Sequence, residues 1–235
     1  MKKVIVFLFV LMAQQTFAQN KWFTLYTDSV KLVKDAGTIN IQFIEEASAL
    51  HPALKLDTRI ILHTTPYLIY YAPDDHRIHI PIWEQVVPDQ KSFFYQFAGS
   101  EEDGKRTFGL FFNGFYLSHE LGHALQDRIE PGLENSFQTE HFANTVGMLW
   151  WRKHKRQAEL KACYDYAKRI LSTLPNPVPA GQTMEDYFTK NFQKATIDPS
   201  VYGYMQFNQF VQIYEDQSLP DFDSFVKNYV SNHKK

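Results

Sequence analysis

Residues Ser118 to Asp127 read SHELGHALQD. His119 and His123 are four residues apart, and Glu120 follows the first of them directly. On a helix, side chains four apart project from one face, with Cβ atoms about 5–6 Å apart. Two imidazoles at that spacing can grip one metal ion from successive turns. A carboxylate one residue past the first imidazole lies near the ion and can accept a proton from a water that the ion acidifies. Leu117, Leu121, Ala124 and Leu125 form a separate apolar stripe. That stripe lets the helix bury one side and turn its histidines to a cleft. A pair of helical histidines also has an ordinary reading as packed or solvated side chains; the added glutamate and the apolar stripe in register favour the metal.

A catalytic zinc takes three protein ligands and keeps a fourth position open. The metzincin continuation H-x-x-G-x-x-H is absent, because Gln126 and Ile129 stand at its two remaining places. The next candidates are Asp127, Glu130, Glu134, Glu140 and His141. Asp127 and Glu130 share the helix of the histidines and are poorly placed to close a tetrahedron from the other side. Glu134 falls in the following turn. Glu140 sits one turn into the next helix, and an antiparallel return would bring it over the histidines. Glu140, Asn144 and Gly147 share one face of that helix, whereas Phe142, Val146, Leu149 and Trp150 make an apolar face. Ala143 and Gly147, with Gly122 opposite, would allow the two helices to approach closely. Asn144 can accept the free N–H of a ligand histidine and set its tautomer. Glu140 is therefore the expected third ligand. Its alternative is a solvated first-turn carboxylate favoured by the helix dipole, and His141 is its rival.

HELGH followed by a helix opening Glu-x-x-Ala-Asn resembles the gluzincins, the thermolysin-like clan of zinc metallopeptidases. The resemblance spans about Tyr67 to Trp151. It rests first on His119, Glu120 and His123, then on Glu140 and on Asn144, where the family often has Asp. The interval from His123 to Glu140 is slightly shorter than in thermolysin, which suggests a compact version. The C-terminal helices lie outside the resemblance.

The resemblance implies one Zn2+ per chain on His119, His123 and Glu140, and peptide-bond hydrolysis with Glu120 as general base. It also implies a substrate-binding edge strand upstream of the metal helix. His76 to Ile82 would match that strand, making His79 and Ile80 the implied substrate-binding residues. Similar enzymes stabilise the developing oxyanion with a Tyr or His from the helical C-terminal part. Tyr202 and Tyr204 flank Gly203 just before a helix; Tyr204 is the choice, with core packing an equal alternative for both. The implied partner is a peptide or protein substrate. A non-catalytic zincin-fold module that binds a peptide, glycan or partner protein is the alternative reading, opposed by the presence of Glu120. A deacylase acting on small amides is a third.

The elements that must position these residues form an α+β pattern, zincin-like by the resemblance. Thr27 to about Leu54 has helical spacing at Ile39, Phe43, Ala47 and Leu50, with Gly37 a possible interruption. Thr58–His63, Tyr67–Tyr71 and His76–Ile82 read as strands, with turn chemistry at Pro73-Asp74-Asp75. Pro81 lacks an N–H, so His76–Ile82 is expected at an edge. Residues Gln90 to Arg106 read as a long loop with Gly99, Gly104 and the solvated acidic run Glu101-Glu102-Asp103. Helices are expected over Gly114–Ile129, from Asn135-Ser136 to Lys155, and over Gln157–Leu174. Three shorter ones follow, to Lys194, over Tyr204–Tyr214 and over Pro220–Val230, after a stiff Pro175–Pro179 break. The sheet-containing part thus ends near residue 112 and a helical part follows.

Residues 1–20 carry two lysines, an apolar run from Val4 to Ala13 and small residues at Thr16 and Ala18. This pattern predicts a secretory signal peptide cleaved after Ala18. The run is short against the roughly 20 apolar residues of a membrane span. The expected protein is one domain from Gln19 to Lys235, secreted or periplasmic, without stable membrane insertion once cleaved. A net charge of −2 and the lack of a basic stripe speak against a nucleic-acid partner. The single cysteine, Cys163, excludes an internal disulfide and is expected as a buried small side chain. His63 and His79 lack paired ligand spacing and read as ordinary strand histidines rather than a second metal site.

Overall fold

The computed structural model describes residues 22–233, so the expected signal peptide and its cleavage point lie outside the described residues. The first helix, α1 (Ser29–Leu50), starts where the Asp28 carboxylate accepts the N–H groups of Val30 and Lys31. Leu32, Ala36, Ile39, Phe43 and Ala47 bury one face at helical spacing. The helix runs straight through Gly37. One glycine costs a helix interior about 1 kcal/mol, less than the packing of that stripe contributes.

Three short strands follow: β1 (Arg59–Leu62), β2 (Tyr70–Ala72) and β3 (Arg77–Ile80). Their order is β1-β3-β2, with β1 parallel and β2 antiparallel to β3. The strand expected at an edge is therefore the central one. Pro81 lies just past the last ladder residue, so its missing N–H removes nothing from the sheet. The edge beside the helical part is β2 instead. Ile78 and Ile80 of β3 point into the core.

The expected loop at Gln90–Arg106 is two helices, α2 (Pro88–Ala98) and α3 (Glu101–Leu110). Its glycines have other uses. Gly99, at φ +90°, ends α2 in the left-handed region. Gly104 lies inside α3 where a Cβ would sit 2.8 Å from the Tyr95 ring and 3.1 Å from the Phe94 carbonyl carbon. It lets the two helices touch. Ser100 caps α3 by accepting the N–H of Asp103, and the acidic run occupies the first turn, where the helix dipole favours negative charge.

A wide, π-helical turn at Phe111–Phe115 joins α3 to α4 (Tyr116–Ile129). Its irregular residue is Asn113, at φ −106°, ψ 23°. The Asn113 amide donates to the Pro81 carbonyl at 2.9 Å, and its backbone carbonyl accepts from the N–H of Phe23 at 3.2 Å. The turn is thus tied to the end of β3 and to the amino-terminal arm. The rest is helical: α5 (Phe137–Lys153), α6 (Gln157–Leu171), α7 (Met184–Ala195), α8 (Pro199–Glu215) and α9 (Phe222–His233).

The main core joins α1, the sheet and α2–α6 with α8 and α9. A smaller core of Phe137, Phe188, Phe192, Ala195 and Met205 lies where α7 meets α5 and α8. Cys163 is fully buried in the main core, as expected. The class is α+β, dominated by helix even in the first half. Among the described residues, no helix is long and apolar enough to cross a membrane.

Candidate metal centre

Helices α4 and α5 run antiparallel and very close. A Cβ at Gly122 would lie 3.0 Å from the Cα of Ala143, and one at Gly147 would lie 3.1 Å from the Ser118 hydroxyl oxygen. Only small residues permit that approach. Its register sets His119 beside Asn144 and brings Glu140 over both histidines. The start of α5 is fixed by a capping box: Ser136 accepts the N–H of Thr139, and the Thr139 hydroxyl accepts the N–H of Ser136. Glu140 follows in the first turn, so its position along the helix is set by that cap.

His119, His123 and Glu140 form a group that can hold a metal ion, their ligand atoms all within 4.8 Å of one another. His119 Nε2 is 3.1 Å from His123 Nε2. Glu140 Oε2 is 3.3 Å from His119 Nε2 and 3.6 Å from His123 Nε2. A tetrahedral ion bound at about 2.0–2.1 Å to each ligand has ligand–ligand edges of about 3.3 Å. The three edges, 3.1, 3.3 and 3.6 Å, bracket that value, so the donor set fits such an ion in size as well as in chemistry. His119 and Glu140 are buried and His123 is half-buried.

The electrostatics are those of a buried set of opposite charges. Burial opposes the charge on Glu140, but His123 and the hydrogen bonds of both imidazoles hold its carboxyl well below the usual range. Burial also opposes charging His123, yet the Glu140 carboxylate outweighs it and raises the imidazole pKa. Glu120 is pushed up, chiefly by burial, partly offset by the two imidazoles. Its Oε2 accepts the N–H of Tyr71 at 2.8 Å. That N–H belongs to β2, the edge strand. The Tyr71 hydroxyl in turn donates to Asp127 at 3.0 Å. The general-base candidate is thus clamped to the edge strand.

Behind the ligands lies a buried amide network. His119 Nδ1 is 2.9 Å from Asn144 Oδ1, which leaves the Nε2 lone pair for the ion. Asn144 Nδ2 donates to Gln206 Oε1 and to Gln209 Oε1, both at 2.9 Å. Gln206 Nε2 donates to Glu140 Oε2 at 2.6 Å and to the Tyr202 hydroxyl oxygen at 2.9 Å. Helix α8 therefore supports ligands on both α4 and α5.

These groups open on a cleft of about 520 Å3. His119, Glu120, His123 and Glu140 form its floor, Tyr70 and Tyr71 of β2 one wall, and Tyr202 lines it from α8. The expected residues divide accordingly. His119, Glu120, His123, Glu140 and Asn144 come together. Tyr204 does not join them: both it and Tyr202 pack against the smaller core, but of the two only Tyr202 lines the cleft. Gly203 between them gives no preference; the way α8 lies against α5 does, by placing Tyr202 at the cleft. Burial and the Glu140 charge push the Tyr202 phenol well above its ordinary pKa, so it stays protonated.

His79 and Ile80 do not line the cleft. Ile80 is buried in the core, and the His79 ring stacks on Tyr70 at 4.1 Å and meets His63 edge-on at 5.1 Å. Because β3 is central, its neighbour β2 takes the place beside the metal helix. His141 is exposed and turned away. Glu130 accepts from Tyr229, and Glu134 is exposed. The metal-ligand group at His119, His123 and Glu140 is the one found among the described residues. Sequence reasoning missed Tyr71, Gln206 and Gln209. The glutamines carry only a weak signal: Met205–Ile213 alternates apolar residues with four carboxamides, and nothing in the sequence marks Gln206 and Gln209 as the buried pair. Comparison with protein-family models, curated proteins and solved structures gives no match to this chain.

Proposed function

We propose that this protein is a zinc-dependent hydrolase of peptide bonds with a zincin-like arrangement, secreted or periplasmic. The observation that supports it most is the triangle of His119 Nε2, His123 Nε2 and Glu140 Oε2 at zinc-ligand edges, sharing one cleft with Glu120. Two imidazoles and one carboxylate are a catalytic rather than a structural donor set, since structural sites take four protein ligands and rely on Cys. Asn144 supports the set from behind, as outer hydrogen bonds do at catalytic zinc.

When bound, the ion supplies Lewis-acid chemistry, acidifying a water and polarising a carbonyl. The chain's own residues do the rest. Glu120 accepts the water proton at the carboxylate oxygen not held by Tyr71, and its burial, which raises its pKa, favours that uptake. It then returns that proton to the leaving amine. Tyr202 takes the oxyanion-stabilising place first sought at Tyr204, offering its hydroxyl to the oxygen that gains charge. The outer edge of β2, whose Tyr71 N–H already goes to Glu120, offers its remaining backbone groups to an extended peptide, the role expected of β3.

The test is cleavage of a diverse peptide library by the zinc-loaded protein, read by mass spectrometry, with Glu120→Gln as the paired control. Cuts that need Glu120 are the expected result, and their positions map the subsites. Zinc bound without cuts would rule out peptide hydrolysis and move the reading to a binding module or a small-amide substrate.

A further inference from the structure

Gln209 sets a direction that runs through the whole amide network. Its Nε2 is 3.0 Å from the Phe137 carbonyl oxygen, an atom that can only accept. Gln209 Oε1 must therefore face Asn144, and Asn144 must present its Nδ2 there. The second N–H of Asn144 goes to Gln206 Oε1, and Asn144 Oδ1 is left for the N–H of His119 Nδ1. Gln206 then has only its amide nitrogen for the other side. It spends one hydrogen on Glu140 Oε2 and the other on the Tyr202 oxygen. The acceptor-only carboxylate of Glu140 demands the same orientation from the opposite end. Two independent anchors, one carbonyl and one carboxylate, thus agree on the polarity of every bond between them.

The consequence falls on Tyr202. Its oxygen accepts from Gln206, and among the described residues that is its one hydrogen bond. A phenol that accepts from the protein keeps its own hydrogen for another partner. Tyr202 lines the cleft with His119, Glu120, His123 and Glu140. We propose that Gln206 is a positioning residue that holds Tyr202 as a hydrogen-bond donor aimed into the cleft and, through the same amide group, holds Glu140 in its ligand position. Donor and ligand set are then one preorganised unit carried by α8. The inference rests on the metal-hydrolase reading, because the partner awaiting that hydrogen is an oxygen drawn to the ion.

Acetohydroxamate binding to the cobalt-loaded protein tests this without substrate turnover. Affinity is read from the visible absorption of the ion in wild type, Tyr202→Phe, Gln206→Met and the double variant. Tyr202→Phe is expected to weaken binding about tenfold, the worth of one hydrogen bond to a charged group. Gln206→Met is expected to weaken it several-fold when Tyr202 is present and by less than about twofold in the Tyr202→Phe background, which is the signature of coupled residues. If Gln206→Met fails to fold or to take up cobalt, Gln206→Ala replaces it and must show the same coupling. Equal losses with and without the Tyr202 hydroxyl would reduce Gln206 to structural support and overturn the proposal. Equal affinity in all four proteins would show that Tyr202 donates nothing into the cleft and overturn it too. A wild type that takes up no cobalt would instead sink the metal reading itself, a separate outcome.

Discussion

A carboxylate acting as a base must be buried enough to hold a proton and fixed enough to face its source. Glu120 meets both conditions, with burial raising its pKa and the Tyr71 N–H anchoring one oxygen. Glu120→Gln should lower turnover by about 10²- to 10⁴-fold while one metal ion per chain remains bound. Activity that survives the change would remove Glu120 from the mechanism. Asn144→Ala takes away the acceptor of His119 Nδ1 and should weaken metal affinity by about 10- to 100-fold, measured by chelator competition. Acid should weaken it as well. The ion needs neutral imidazoles and an ionised carboxylate. Glu140 stays ionised at any ordinary pH, because its pKa is lowered, so the proton competes with the metal at His123, whose pKa is raised. Affinity should fall as pH drops through that raised value, beginning above the ordinary 6.5 of histidine. A flat profile between pH 8 and 5 would argue that His123 is not a ligand.

Two helices do the positioning, and their spacing is the sensitive quantity. Gly122 faces Ala143 with room for no further atom, its Cβ position already 3.0 Å from the Ala143 Cα. Gly122→Val should push α4 and α5 apart, at a cost of about 1–3 kcal/mol in stability and a larger proportional loss of metal binding. Thermal melting and metal titration of the same variant would separate the two effects. A variant that melts lower yet binds metal normally would mean that the ligand geometry tolerates the shift. The close approach was readable beforehand from Gly122, Ala143 and Gly147, because small residues at helical spacing have few other uses. The paired helices α2 and α3 were not readable, because Gly99 and Gly104 look like loop residues until their neighbours are known. Strand order was also hidden: Pro81 argues for an edge only if it lies within the ladder, and it lies one residue past it.

At the scale of the molecule, the centre is a junction. The candidate ligands come from α4 and α5, their support from α8, and the anchor of Glu120 from β2. An ion bound there ties α4 to α5 directly and reaches α8 through Gln206 and Gln209. Binding only the folded state, it adds about 4 kcal/mol when present at a thousand times its dissociation constant. For a chain of this size each kcal/mol is worth about 2–4 °C of melting temperature. Chelation should therefore lower the melting temperature by about 8–16 °C, and added zinc should restore it. Calorimetry with and without chelator checks this; an unchanged transition would mean that no ion is held by the fold.

The grouping of His119, His123 and Glu140 was legible in the chain itself because it depends on local geometry. Helical periodicity alone puts His119 and His123 on one face, and the Ser136 cap with a short turn returns Glu140 to them. Cys163, the long first helix and the helical second half follow from the same local rules of burial and spacing. The rest belongs to the tertiary structure. Whether Tyr202 or Tyr204 meets the cleft depends on how α8 is rotated against α5, and both sit beside the same glycine. Which strand borders the metal helix depends on pairing order, which residue types within His76–Ile82 do not reveal. The roles of Tyr71, Gln206 and Gln209 arise from contacts across 49 to 72 residues of chain. A polar side chain has no assigned partner until distant segments close around it, and the fold alone determines which of them do.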